Sequence, residues 1–237
     1  MTLRDKVILI SGATGALGSA VAREFGQTQA RVVLTGRSDQ KLEQLVAELG
    51  LTTAQALPVA ADVTQADGVT KLVESAMSRF GRIDALLNTV GGWTGGKTVG
   101  ETEVEDWDRM LTLNLRSAFL LSRAVLPAML EAGWGRVVHV STKTAVAPRA
   151  KRAAYAVSKA GVITLTEVIA AEVKGTGVTA NVILPSIIDT EDNRASSPSA
   201  NTDKWVPPGH IAATMRFLCS DAAASINGAR IPVYGAV

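Results

Sequence analysis

Short runs of consecutive apolar residues, rich in Val, Ile and Leu, recur along the chain between longer stretches whose apolar positions return every three or four residues. The short runs lie at Val7–Ile10, Arg31–Leu34, Ala56–Ala60, Ala85–Asn88, Arg136–Val140, Thr179–Leu184 and Arg230–Val233. Most lack the alternation of a strand with one wet face, so they predict parallel strands covered on both sides. The helical patterns lie at Ala16–Gln27, Ser38–Leu49, Gln65–Phe80, Glu103–Glu131, Ala153–Lys174 and Pro208–Asp221. Gly26, Gly50, Gly81 and Gly133 stand where helices would end. Strand–helix–strand order repeated in this way predicts an α/β fold: a doubly wound parallel seven-stranded sheet with helices on both faces. The stretch 190–207, rich in Ser, Asn, Asp and Pro, follows neither pattern and reads as a substrate lid on a single domain spanning 1–237.

The first predicted strand runs into Ser11-Gly-Ala-Thr-Gly-Ala-Leu-Gly18, and a helical pattern follows. Gly12, Thr14, Gly15, Ala16, Leu17 and Gly18 are small or turn-forming where a backbone must approach a pyrophosphate, and the helix start offers free N–H groups. A glycine-rich turn alone is weak evidence, but its place after the first strand of a βαβ unit makes a Rossmann-like dinucleotide site the natural reading. The second predicted strand ends in Leu34-Thr-Gly-Arg37-Ser38, with no carboxylate to accept a ribose 2′-OH. Arg37, assisted by Ser38, suits a 2′-phosphate instead, which favours NADP(H) and leaves NAD(H) possible.

Bulk properties exclude several classes. With 47% apolar and 19% charged residues the chain has material for a core, and a net charge of +2 is too small to imply nucleic acid. The densest basic patch, Arg149 to Arg152, holds three basic residues. Cys219 has no partner for an internal disulfide and lies in an apolar run, which fits a buried thiol and a reducing cytoplasm. The N-terminus lacks a signal-peptide pattern, and no run of 18 apolar residues suggests a membrane span. His139 and His210 are far apart and have no flanking ligand cluster, so no metal is expected.

Tyr155 and Lys159 stand four apart in a helical pattern and so share a face. A lysine cation and a nicotinamide cation would both favour the phenolate, letting Tyr155 exchange a proton with a carbonyl or alcohol.

Taken together, these segments resemble the short-chain dehydrogenase/reductase family in its single-domain form, over essentially the whole chain. The glycine turn resembles Thr-Gly-x-x-x-Gly-x-Gly, with Ser11 for Thr and Ala16 for the middle Gly. Asp62-Val63 resembles the adenine-contacting pair, and Asn88-Thr-Val90-Gly91 the structural Asn-Asn-Ala-Gly motif. Asn114 matches the asparagine that holds a water in the proton relay. Pro185, Ile188 and Thr190 match the segment that contacts the nicotinamide carboxamide, with Ser186 replacing a Gly. The family's catalytic serine falls at Thr142, with Ser141 beside it as the other candidate hydroxyl. The resemblance implies an NAD(P)-dependent oxidoreductase acting on a carbonyl or the corresponding alcohol, with Tyr155 as acid/base and Asn114, Thr142 or Ser141, and Lys159 around it. It also implies a small-molecule substrate and a homo-oligomer, tetramer or dimer, with no membrane partner.

Gly91-Gly-Trp93-Thr-Gly-Gly96, and Leu184 to Thr190 with Asn193, Arg194, Pro198 and Trp205, are similar to dihydropteridine reductases. Trp93 and Trp205 could stack on a quinonoid pterin. A third reading, a non-catalytic dinucleotide sensor, is disfavoured because Tyr155 and Lys159 are both present.

Overall fold

The computed structural model describes residues 3–236. The strands are β1 (Val7–Ser11), β2 (Arg31–Gly36), β3 (Ala56–Ala60), β4 (Ala85–Asn88), β5 (Gly135–Val140), β6 (Val178–Pro185) and β7 (Arg230–Val233). All pair in parallel, in the order β3-β2-β1-β4-β5-β6-β7. The seven predicted runs are therefore the seven strands, and the buried residues of β1, β4 and β6 explain why their sequences do not alternate.

The helices are α1 (Ala16–Gly26), α2 (Asp39–Glu48), α3 (Ala66–Phe80), α4 (Val104–Met110), α5 (Ser117–Glu131), α6 (Lys143–Val146), α7 (Ala153–Glu172), α8 (Glu191–Ser196) and α9 (Pro208–Leu218). One face of the sheet packs on Val21 and Phe25 of α1, Leu42 and Leu45 of α2, and Ile211 and Met215 of α9. The other packs on Leu72 of α3, Leu121 and Val125 of α5, and Ile169 of α7. The 20-residue α7 is long and apolar enough to cross a bilayer, yet Val162 and Ile163 pack with Val182 and Leu184 of β6, as in a core helix.

Three features depart from the sequence reading. The single helix expected over Glu103–Glu131 is interrupted at Leu111–Arg116 by a wider turn of π-helix, which carries Asn114. The stretch 190–207 contains α8, capped by Thr190 Oγ1, which accepts from Asn193 N at 3.2 Å. Gly26 lies within α1 rather than after it, where an added Cβ would stand 3.2 Å from Leu51.

Strand order reverses between β1 and β4, which opens a crevice at the carboxyl ends of the strands.

Candidate active site

At the end of β1, Gly12 adopts φ +72° and turns the chain into α1. A Cβ on Gly18 would lie 2.0 Å from the Gly12 carbonyl oxygen, so the turn closes only on glycine there. Gly15 caps α1, with no side chain on the free N–H groups and no acid in the first turn. This bare, positive helix end fits the pyrophosphate of a nicotinamide dinucleotide. Ala16 is exposed beside it, while Leu17 is buried.

At the end of β2, a Cβ on Gly36 would lie 3.0 Å from Thr14 Oγ1, and Arg37 is exposed. Ser38 caps α2, accepting from Lys41 N at 3.4 Å. Across from it, hydrogen bonds from the Thr64 hydroxyl (2.7 Å) and N–H (2.9 Å) hold the Asp62 carboxyl below its ordinary range, and the nearby charge of Arg37 adds to this. Val63 beneath is buried.

At the end of β4, Asn88 Oδ1 accepts from Ser11 Oγ at 2.7 Å and from Val90 N at 3.1 Å. That leaves its amide nitrogen 3.2 Å from His139 Nδ1, while His139 Nε2 is 2.9 Å from Ser122 Oγ. The pairing assigns the neutral Nε2–H form: Asn88 donates to Nδ1, Nε2–H donates to Ser122, and Ser122 donates to Ala118 O at 2.8 Å. Burial, followed by the charge of Lys159, pushes the His139 pKa down to about 3. Both ring nitrogens are thus occupied within the fold.

The proton-transfer candidates meet at the start of α7. Tyr155 hydrogen-bonds with the side chain of Thr142. Burial pushes the phenol above its ordinary pKa, and the Thr142 bond and the charge of Arg152 only partly oppose this. The lowering expected from sequence rested on Lys159 together with a nicotinamide cation; from the protein alone, burial outweighs the charge of Arg152 and the phenol lies higher. Lys159 is buried, donates to Val140 O at 2.9 Å, and is pushed down to about 8 by desolvation. A Cβ on Gly91 would lie 2.8 Å from Lys159 Nζ, so glycine keeps the ammonium open toward the crevice.

The two candidate hydroxyls point differently. Ser141 Oγ donates to Lys159 O at 2.7 Å and is committed to fixing α7. Thr142 faces Tyr155 and accepts from Thr144 N at 3.3 Å. Asn114 Oδ1 accepts from Gly92 N at 2.9 Å, and its amide donates to Ser158 Oγ at 2.9 Å, tying the turn after β4 to α7. Ser158 and Ser122 are buried supports that no sequence motif marked, because their partners lie 44 and 17 positions away.

At the end of β6, Pro185 is buried, and beyond it Ile188 O accepts from Asn193 Nδ2 at 2.8 Å. Ser186 Oγ donates to Tyr234 O at 2.7 Å. Trp205 is packed inside at 6% exposure, unlike Trp93 at 57%, so Trp205 anchors its segment and is not free to stack on a substrate. Cys219 is buried, with its thiol pushed up to about 12 by desolvation, as befits a structural residue.

A model of the short chain dehydrogenase family matches residues 6–201. The chain is 35% identical to a D-threitol dehydrogenase of Mycolicibacterium smegmatis, over 98% of this chain and 93% of that protein. It is 32% identical to a 3-oxoacyl-[acyl-carrier-protein] reductase of Synechocystis, over 98% of this chain and 97% of that protein. The structure of a short-chain type dehydrogenase/reductase from Mycobacterium ulcerans superposes with a TM-score of 0.93 at 26% identity, covering 100% of this chain and 90% of that one.

Proposed function

The chain belongs to the short-chain dehydrogenase/reductase family of oxidoreductases, and from that premise we propose that it reduces a small carbonyl compound with NADPH, Tyr155 supplying the proton. The observation that carries this reading is the Tyr155–Thr142 hydrogen bond beside the buried Lys159, next to the glycine turn of β1. Bound nicotinamide dinucleotide supplies the chemistry of hydride transfer, two electrons to the carbonyl carbon.

The chain's own residues do the rest. Because burial keeps the phenol protonated at neutral pH, Tyr155 is set to donate to the oxygen as the alcohol forms. Thr142 orients that oxygen, since Ser141 is engaged with Lys159 O. Lys159 holds the ribose hydroxyls and offsets charge on the phenolate left behind. Asn114 fixes the turn at Gly92 and carries the water that relays a proton back. Gly12 and the N-terminus of α1 would hold the pyrophosphate, Asp62 and Val63 would flank the adenine, and Asn88, Val90 and Gly91 would form the floor. Pro185, Ile188 and Thr190 would meet the carboxamide, with 190–207 as the lid. For the 2′-phosphate, Gly36 carries no acid and Arg37 is exposed beside the pocket, which supports NADP(H) over NAD(H). Phe119 on α5 with Val157 and Val168 on α7 are exposed apolar residues, and we assign them to contact between copies in a homo-oligomer.

Tyr155→Phe tests the reading. It is expected to lower kcat/KM by about 10²–10⁴ for any carbonyl turned over, while NADPH fluorescence titration stays within about twofold of wild type. Turnover within a few-fold of wild type would remove Tyr155 as the proton donor.

A further inference from the structure

Arg149, Lys151 and Arg152 stand immediately before α7, and none of the three is paired with a carboxylate among the described residues. Arg194, in the segment after β6, is by contrast neutralised by Asp189 through contacts of 2.6 and 2.8 Å. Lys151 adopts φ +63°, a conformation shared by only one other non-glycine residue among those described, Asp5. Its carbonyl accepts from Gly96 N at 2.8 Å, which ties the basic segment to the exposed Trp93 loop at the mouth of the site.

Arg152 is the residue that caps α7, half-buried, and its own side chain caps nothing. It stands three residues before Tyr155, at the cap where the chain enters α7. Its charge reaches the phenol. A cation at the positive end of a helix with no acid in the first turn is unfavourable for the helix. Carbonyl reduction by Tyr155 and Lys159 makes no use of further cations here.

We propose that the carbonyl substrate carries an anionic oxygen group, carboxylate or phosphate, bound by Arg152, with Arg149 and Lys151 drawing it into the mouth. This rests on the carbonyl-reductase reading. With the carbonyl oxygen at Tyr155 and the anion at Arg152, three residues apart at the start of α7, a short chain joins the two groups, as in a 3-oxo acid. The reaction balances without the anion changing. The carbonyl carbon gains the hydride and its electron pair, the oxygen gains the Tyr155 proton, and the reduced nicotinamide is oxidised.

The test compares matched pairs on the full-length protein: acetoacetate against ethyl acetoacetate, and dihydroxyacetone phosphate against dihydroxyacetone. In wild type, kcat/KM should favour the charged member of at least one pair by about tenfold or more, and which pair does so identifies the anion. In Arg152→Gln that ratio should fall about tenfold, chiefly through KM. Any effect of Arg152 on Tyr155 acts on both members of a pair and cancels in the ratio. Equal use of charged and neutral members, or a ratio unmoved by Arg152→Gln, overturns the inference while leaving the carbonyl-reductase reading intact. If no carbonyl is turned over, that reading fails, and calorimetric titration with the same four compounds decides the inference. Binding of a charged compound weakened about tenfold by Arg152→Gln upholds it, and no preference for charge ends it.

Discussion

Acidification should unfold this protein through one buried ring. His139 accepts from Asn88 at Nδ1 and donates to Ser122 at Nε2, so a second ring proton would displace the Asn88 amide and find no acceptor in its place. Its pKa is pushed down to about 3 from an ordinary value of 6.5. The sign follows from linkage: between those values the unfolded chain binds the proton and the folded chain does not. Stability is therefore complete above about pH 6.5 and is lost as pH falls toward 3. At about pH 5 the unfolded ring is almost fully charged and the folded ring almost fully neutral, so the loss attributable to this group is about 2 kcal/mol. The assay is urea unfolding of wild type and His139→Asn at about pH 8 and about pH 5. The substitution costs stability at both pH values, but only wild type should lose the extra ~2 kcal/mol, a fall in urea midpoint of roughly 0.8 M at a slope of about 2.5 kcal/mol/M. Parallel losses in the two proteins would refute the assignment to His139.

Two further outcomes follow from the same geometry. Lys159, pushed down to about 8, loses its charge as pH rises through that value, so reductive kcat/KM should be flat below about pH 8 and fall above it. A break only near the ordinary lysine value of 10.5 would mean that burial does not govern Lys159. Arg37→Ala should weaken NADPH binding about tenfold or more and leave NADH binding within about twofold, read by nicotinamide fluorescence. Equal effects on both cofactors would leave Arg37 as an ordinary surface residue.

The strands and the glycine turn were legible because their signals are local. A buried parallel strand declares itself in about four or five residues, and the Gly12–Gly18 turn needs small residues whatever lies elsewhere. The break in the long helix was not legible, since a π turn at Leu111–Arg116 leaves the apolar spacing nearly unchanged. The short, mostly polar α8 depends on the Thr190 cap rather than on any apolar face, so it read as loop. The choice between Ser141 and Thr142 needed the third dimension: adjacent residues leaving β5 point to opposite sides, one toward Lys159 O and the other toward Tyr155. The direction of the Tyr155 pKa in the protein alone was not legible either: charge can be read from sequence, but the burial that outweighs it cannot.

Burial also explains why a neutral histidine belongs next to the site. Lys159 is a buried cation that donates to a carbonyl, that of Val140, rather than to a carboxylate. Desolvation has already brought it to about 8, within reach of neutrality at physiological pH. Its charge and that of His139 are coupled, and such coupling is reciprocal: a charged His139 would push Lys159 lower still and strip it of the charge that Tyr155 and a ribose require. Burial and the charge of Lys159 keep the ring neutral, and Asn88 and Ser122 occupy its two nitrogens, so the end of β5 presents one cation. The same Asn88 is the residue we assign to the nucleotide floor. Asn88→Ala should therefore weaken cofactor binding while leaving the alkaline limit of kcat/KM near pH 8, where even an imidazole of ordinary pKa 6.5 is neutral, and a limit moved downward would refute this reading.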